Sequence, residues 1–385
     1  MGATSKSVAV RRLPTGAVMA TGAALALALA GCSSSTGSSA GASSSAASGG
    51  ASAGACAPTG VTLIQSGRGL ENEYYVAVDA GAKAFAASVG LTDKYKWIAS
   101  DGDSAKQLSQ IKSILATSGK CTVINIDPND NSVTPAILDA AKAAGAYVVT
   151  QWNKPDGTSP VKYGDTWVSH MSVDGGPQGY ETAKALFKAM GGKGSIVALQ
   201  GILDNVPAKQ RFEGLKKALA EYPNITLLED QTAGWDRTKG QNVTQTFLTK
   251  YGNKINGIWT ANDGMGLGAL EAVKAAGKEG QIKISGTDGL QEAIDAVKNA
   301  AKTGFVATTQ STAAVQGAYG LAIGYKAATG AITVADLKPE QRAFYLAMKP
   351  IVTAENASTI TAPDNVTGLT PITDIWSQIA SPITG

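Results

Sequence analysis

The chain has 385 residues, 44% of them hydrophobic and 16% charged, with a net charge of +3 and a single histidine. That length supports two domains of ordinary size. So small a charge excludes a surface built to attract nucleic-acid phosphates, and one histidine excludes a metal site built on paired imidazoles.

Arg11 and Arg12 precede an uncharged run over 16–30. It is shorter than the roughly 20 apolar residues of a membrane-spanning helix and suits a signal-peptide core. The run closes on Leu29-Ala30-Gly31-Cys32, which resembles the bacterial lipoprotein box. The resemblance implies cleavage before Cys32 and a lipid on that cysteine, with residues 1–31 as signal peptide. The twin arginines are a weak mark of the twin-arginine export route, because Leu13-Pro14 continues the motif poorly. Residues 33–55 are Ser, Ala and Gly with one Thr, a composition that nucleates no core. With Cys32 they form a flexible tether, residues 32–55, with an end-to-end distance on the order of 25 Å.

Apolar runs and helical patterns then alternate. Short β-like runs fall at 61–64, 96–99, 123–126, 146–150, 196–199, 225–228, 257–260, 282–285 and 305–308. Helical spacing joins Val78, Ala82, Phe85 and Val89, then Leu108, Ile111 and Leu115, and later Val243, Phe247 and Tyr251. Regular alternation predicts parallel sheets with right-handed crossovers, in too many units for one sheet. The expected fold class is therefore α/β, with two similar doubly wound lobes. Cys56 and Cys121 each precede a strand. In a sheet of order 2-1-3 those strands are neighbours, which predicts a disulfide between them.

The run from Trp259 to Glu271 stops at Asn262 and Asp263 and passes through glycines into an alanine-rich helix. Strand ends of this kind face the ligand crevice of an open parallel sheet. No nucleophile paired with a base, metal cluster or phosphate loop accompanies them, so no catalytic residue, metal or cofactor is expected. A calcium-loop beginning at Asp127 fails at Ser132 and Leu138, where the pattern needs Gly and Glu.

Seven motifs arrive in order: Asn72-Glu73-Tyr74-Tyr75, Asp127-Pro128 with the stretch 137–150, Arg211-Phe212-Glu213-Gly214, Trp235-Asp236-Arg237, Asn262-Asp263, Gly286-Thr287-Asp288-Gly289 and Ala307-Thr308-Thr309-Gln310. Together they resemble the ribose-binding-type (type I) periplasmic solute-binding proteins of sugar ABC transporters. That resemblance implies an N-terminal lobe of 56–169 plus 311–348 and a C-terminal lobe of 170–310 plus 349–385. A three-strand hinge would cross near His170, Gln310 and Lys349, and 361–385 would lie as a strand or strap on the second lobe. It implies an extracytoplasmic receptor, monomeric and lipid-anchored to the cell membrane, that binds a monosaccharide or polyol between its lobes and delivers it to an ABC permease. A sensor presenting its ligand to a signalling partner, or a receptor for a non-sugar polar solute, is the alternative.

Sugar chemistry accounts for the residue types. Amides, carboxylates and guanidinium groups each take two hydroxyls in defined geometry, and aromatic rings cover the C–H faces. The resemblance assigns hydroxyl contacts to Asn72, Asn153, Arg211, Asn262, Asp288 and Gln310, and stacking to Tyr74, Tyr75, Trp152 and Trp235. Asp288 has a helix cap as its other reading, and Trp152 a place in the core. Asp263 reads as a support for its loop. Ribose receptors carry Asp-Arg after the fourth strand, where this chain has Gln151-Trp152-Asn153. The exchange predicts more stacking surface and fewer charged contacts. It points away from ribose and leaves another pentose or hexose, a sugar alcohol or a cyclitol open.

Overall fold

The computed structural model describes residues 55–361 and 363–384, all within one compact unit. The expected signal peptide, Cys32 and nearly all of the tether lie outside the described residues.

Ten strands alternate with helices, except between the fourth and fifth, which are joined by a loop with a short 3-10 turn at Pro160–Tyr163. β1 (Thr62–Gly67), β2 (Tyr95–Ala99), β3 (Thr122–Ile126), β4 (Tyr147–Gln151) and β5 (Trp167–Val173) build the first lobe. β6 (Gly194–Gln200), β7 (Ile225–Thr232), β8 (Gly257–Thr260), β9 (Lys283–Ser285) and β10 (Phe305–Thr309) build the second. Three further strands follow: β11 (Ala343–Leu346), β12 (Ile351–Val352) and β13 (Ile379–Pro382). The seven-stranded first sheet runs β13-β11-β5-β4-β3-β1-β2, and the six-stranded second sheet runs β12-β10-β9-β8-β6-β7. Pairing is parallel except where β12 meets β10 and β13 meets β11. The central strands are buried along their whole length, as β3 and β8 show, because helices cover both faces.

Cys56 and Cys121 are joined by a disulfide, which ties the amino end of β1 to that of its neighbour β3. Within the second lobe, helix Gly175–Ala189 crosses helix Val206–Glu221 at glycines. A Cβ at Gly179 would lie 2.0 Å from the Arg211 carbonyl oxygen, and one at Gly214 would lie 2.2 Å from that of Gly176. Only glycine admits so close a contact, and it sets the depth at which Arg211 enters the lobe interior.

The structure corrects two expected boundaries. β5 stays in the first sheet as far as Val173, so the chain crosses at Asp174 and His170 belongs to the first lobe, opposite Ala343 of β11. His170 is buried there beside Thr150, and burial with the nearby Lys154 charge pushes it down to about 3. The tail is also redistributed. β12, Ala357 and Ile360 pack on the second lobe, but Leu369, Ile372, Ile375 and Trp376 pack on the first. β13 then closes the edge of the first sheet, so 361–385 is not a strap on the second lobe. Its sequence, Ile-Ala-Ser-Pro, has no apolar run, and proline is admitted in sheets chiefly at an edge.

Candidate functional site

Loops at the carboxyl ends of the strands converge between the lobes. Arg68 follows β1, Asp127 follows β3, and Trp152 and Asn153 follow β4; opposite them stand Asn205 after β6, Trp235 after β7, Asn262 after β8 and Asp288 after β9. All eight, with Asn72, Tyr74, Tyr75 and Arg211, line one cavity between the lobes. Such a crevice outside the strand ends is where open α/β sheets hold ligands.

The two lobes contribute similar polar sets. In the first, Arg68 Nη1 donates to the Tyr75 hydroxyl at 2.6 Å, which donates to Asp127 Oδ2 at 2.7 Å. Asn153 Nδ2 donates to Asp127 Oδ1 at 2.8 Å, and Arg68 pairs with Asp127 at 3.6 Å. Burial still raises the Asp127 carboxyl above its ordinary range, against the pull of Arg68, Tyr75 and Asn153. In the second lobe, Arg211 is held by the Ala261 carbonyl at 2.7 Å, Gln178 Oε1 at 3.2 Å and the Ser311 hydroxyl at 3.3 Å. It faces Asp288 at 3.7 Å. Burial lowers the Arg211 guanidinium and raises Asp288 to about 6. Two guanidinium groups thus balance two carboxylates around the cavity.

Several lining atoms have no protein partner among the described residues. Asn72 and Asn262 cap their helices through Oδ1, accepting from Tyr74 N and Met265 N at 3.0 Å, which leaves both Nδ2 groups to donate. Asp288 gives Oδ1 to Ser311 and keeps Oδ2. The Tyr74 hydroxyl accepts from Trp152 Nε1 at 2.6 Å and keeps its own proton. Arg68 Nε is buried with no hydrogen-bond partner. Donors therefore outnumber acceptors, between indole and phenol walls.

Trp152, Trp235 and Asp288 have φ values of 55°, 68° and 132°. Such backbone is costly for non-glycine residues, by about 1–3 kcal/mol each, and persists where surrounding structure over-determines it. The site is organised at the expense of local backbone freedom.

Of the residues singled out from sequence, Asn72, Tyr74, Tyr75, Trp152, Asn153, Arg211, Trp235, Asn262 and Asp288 are brought to this cavity. Asn153 has both Nδ2 protons engaged, with Asp127 and the Pro128 carbonyl, and its Oδ1 accepts from Val206 N, so only one acceptor site of that oxygen is left for a ligand. Gln310 is not among the lining residues; its Nε2 donates to the Thr361 carbonyl at 2.7 Å, at the hinge. Asp263 lies behind the wall, accepting from Leu290 N and Thr308 Oγ1. Arg68, Asp127 and Asn205 were not selected. Arg68 and Asp127 each stand immediately after a strand, so the rule that found Asn262 points to them as well. They also revise the expected loss of charge: the charged pair missing at 151–153 is supplied by Arg68 and Asp127.

Two α/β lobes, one inserted in the other and closed over a polar and aromatic cavity, define a solute-binding protein. The chain belongs to the family described as periplasmic binding protein domain, whose match spans residues 66–332. It is of the ribose-binding type, a family of extracytoplasmic substrate-binding proteins rather than enzymes. It is 30% identical over 230 residues to a xylitol-binding protein of Mycolicibacterium smegmatis, a match covering 59% of this chain and 61% of that one. It is also 30% identical over 230 residues to the ribose import binding protein of Haemophilus influenzae, covering 60% of this chain and 74% of the relative. A crystal structure of a twin-arginine translocation pathway signal protein from Burkholderia phytofirmans superposes with a TM-score of 0.79 at 38% identity, covering 84% of this chain and 99% of the other. Among the described residues no helix is long and apolar enough to cross a membrane.

Proposed function

We propose that this protein is a receptor for a neutral monosaccharide or polyol, which it encloses between its lobes and delivers to an ABC import permease. The carrying observation is the balance of charge around the cavity, Arg68 with Asp127 and Arg211 with Asp288, beside unpaired amide donors and aromatic walls. Balanced charge disfavours sugar acids and amino sugars, whose net charge would be buried without a counter-ion. Hydroxyls supply both the acceptors wanted by Asn72, Asn262 and Arg211 and the donor wanted by Asp288. A site of this kind rejects analogues that lack one hydroxyl, because a buried group is then left unpaired.

In this reading Tyr74, Trp152 and Trp235 cover the apolar faces of the ligand, while Tyr75 and Asn153 hold Asp127 and the closed wall. The names of the two curated relatives, a xylitol and a ribose binder, support the ligand class. Anchoring through lipid on Cys32, with 33–55 as tether and a monomeric body, completes the proposal. A thermal-shift screen with pentoses, hexoses, pentitols, hexitols and inositols tests it. A binder at a hundredfold excess over Kd stabilises by about 2.7 kcal/mol, a clear rise in melting temperature. No shift with any of these, alongside a shift with an amino acid or an organic acid, overturns the reading.

A further inference from the structure

Three asparagines occupy helix starts around the cavity, and one behaves differently. Asn72 and Asn262 cap their own helices. Asn205, at the same position before helix Val206–Glu221, makes no cap bond with its side chain. Its Oδ1 accepts from Trp235 Nε1 at 2.8 Å and from Arg68 Nη2 at 3.0 Å, and its Nδ2 donates to the Asn129 carbonyl at 3.0 Å. Arg68 and Asn129 belong to the first lobe. The amide that opens the helix, Val206 N, is bonded instead by Asn153 Oδ1 at 3.2 Å, also from the first lobe. Each lobe thus lends the other an asparagine.

We propose that Asn205 is a positioning residue that exchanges partners as the lobes move. With the lobes together it latches Arg68 and the Asn129 carbonyl and fixes the Trp235 indole against the cavity. When the first lobe withdraws, Arg68, Asn129 and Asn153 leave together, and Asn205 Oδ1 turns back to accept from Ala208 N. Ala208 is the third helical residue, and Pro207 before it has no N–H to offer. The helix start therefore keeps one side-chain cap in both arrangements, which lowers the cost of opening, while Val206 N and Trp235 Nε1 are released to the water that enters the cleft. Asn205 has little left for a ligand, since its oxygen already serves two donors. This inference rests on the receptor reading only in requiring that the lobes open and close.

Two variants separate the latch from a merely structural role. Serine caps a helix about as well as asparagine but cannot span to Arg68 and Asn129, whereas alanine does neither. Asn205→Ser therefore keeps the open arrangement and loses the closed one, while Asn205→Ala weakens both. The full chain labelled with 5-fluorotryptophan reports the two arrangements by fluorine NMR, with the Trp235 signal assigned by its loss in Trp235→Phe. Spectra are taken without sugar and with each of ribose, xylitol and myo-inositol. The expected closed population falls in the order wild type, Asn205→Ala, Asn205→Ser, the last two separated about fivefold by the worth of one cap. The melting temperature without sugar falls in a different order, with Asn205→Ser above Asn205→Ala. Equal closed populations in the two variants, or alanine below serine, overturn the exchange. A wild-type Trp235 signal that never shows two arrangements under any of these conditions also overturns it, while the receptor reading stands or falls separately on the melting screen.

Discussion

Asp288 and Arg211 face each other at 3.7 Å with the Ser311 hydroxyl bonded to both: it donates to Asp288 at 2.8 Å and accepts from Arg211 at 3.3 Å. Burial raises Asp288 to about 6 even though Arg211 and Ser311 oppose the shift. A ligand hydroxyl donating to Oδ2 requires the ionised form, so affinity is full above about pH 6 and is lost as pH falls through it. The slope approaches tenfold in Kd per pH unit, one proton per site. The effect on folding has the opposite sense. The folded state keeps this proton where the unfolded chain has released it, so this group's contribution to stability falls as pH rises from about 4 to about 6. Calorimetric titration of the best sugar from pH 5 to 8 checks the first statement, with Asp288→Asn flattening the profile. A wild-type Kd constant across that range contradicts it.

Gly201 offers a change that leaves every cavity-lining side chain chemically intact. A Cβ there would lie 2.1 Å from Trp235 Cζ2, so the indole must move. Overpacking of this kind costs about 1–3 kcal/mol, and here it displaces a cavity wall. Gly201→Ala is expected to weaken binding by roughly tenfold or more with a smaller effect on the melting temperature. Unchanged affinity would show that the Trp235 position is unimportant.

Asp263 is buried behind the site, and burial together with the Asp288 charge raises it to about 8. At neutral pH it therefore holds a proton, and a neutral amide of the same shape should replace it cheaply. Asp263→Asn is expected to cost under about 1 kcal/mol, whereas Asp263→Ala strips partners from Leu290 N and Thr308 and costs about 2–3 kcal/mol. Denaturant unfolding of both variants decides it. Equal losses would mean that the group is ionised in the native protein.

The disulfide between Cys56 and Cys121 closes a sequence separation of 65 residues in the first lobe alone. Reduction is expected to lower stability by about 4 kcal/mol in the chain-entropy treatment. It should leave ligand stoichiometry unchanged, since neither cysteine lines the cavity. Melting curves with and without a reductant, followed by titration of the reduced protein, test both halves.

The sequence carried much of this arrangement because its signals are local. Gly257–Thr260 is a strand with the bounds that the apolar run suggests, and Asn262 follows it at the crevice. What was hidden depends on partners distant in the chain. Arg68 is recognisable as a site residue only once Asp127 and Asn205 stand beside it, 59 and 137 residues away by number. β5 reads Trp-Val-Ser-His-Met-Ser-Val, with polar residues at buried positions, so its end could not be placed from hydropathy. Gln310 carried a resemblance in type but is turned to Thr361 by the tail, whose course the family pattern does not describe.

The return of β13 to the first sheet has a mechanical consequence. Cys56 is bonded to Ala328 and β13 to β11, so the two ends of the folded body sit on the same lobe and the second lobe is built from two excursions between them. Tension applied between residues 56 and 382 is borne by the first sheet and does not pull the cleft apart. An attachment at either end, whether a surface or a fused protein, leaves the second lobe free to swing.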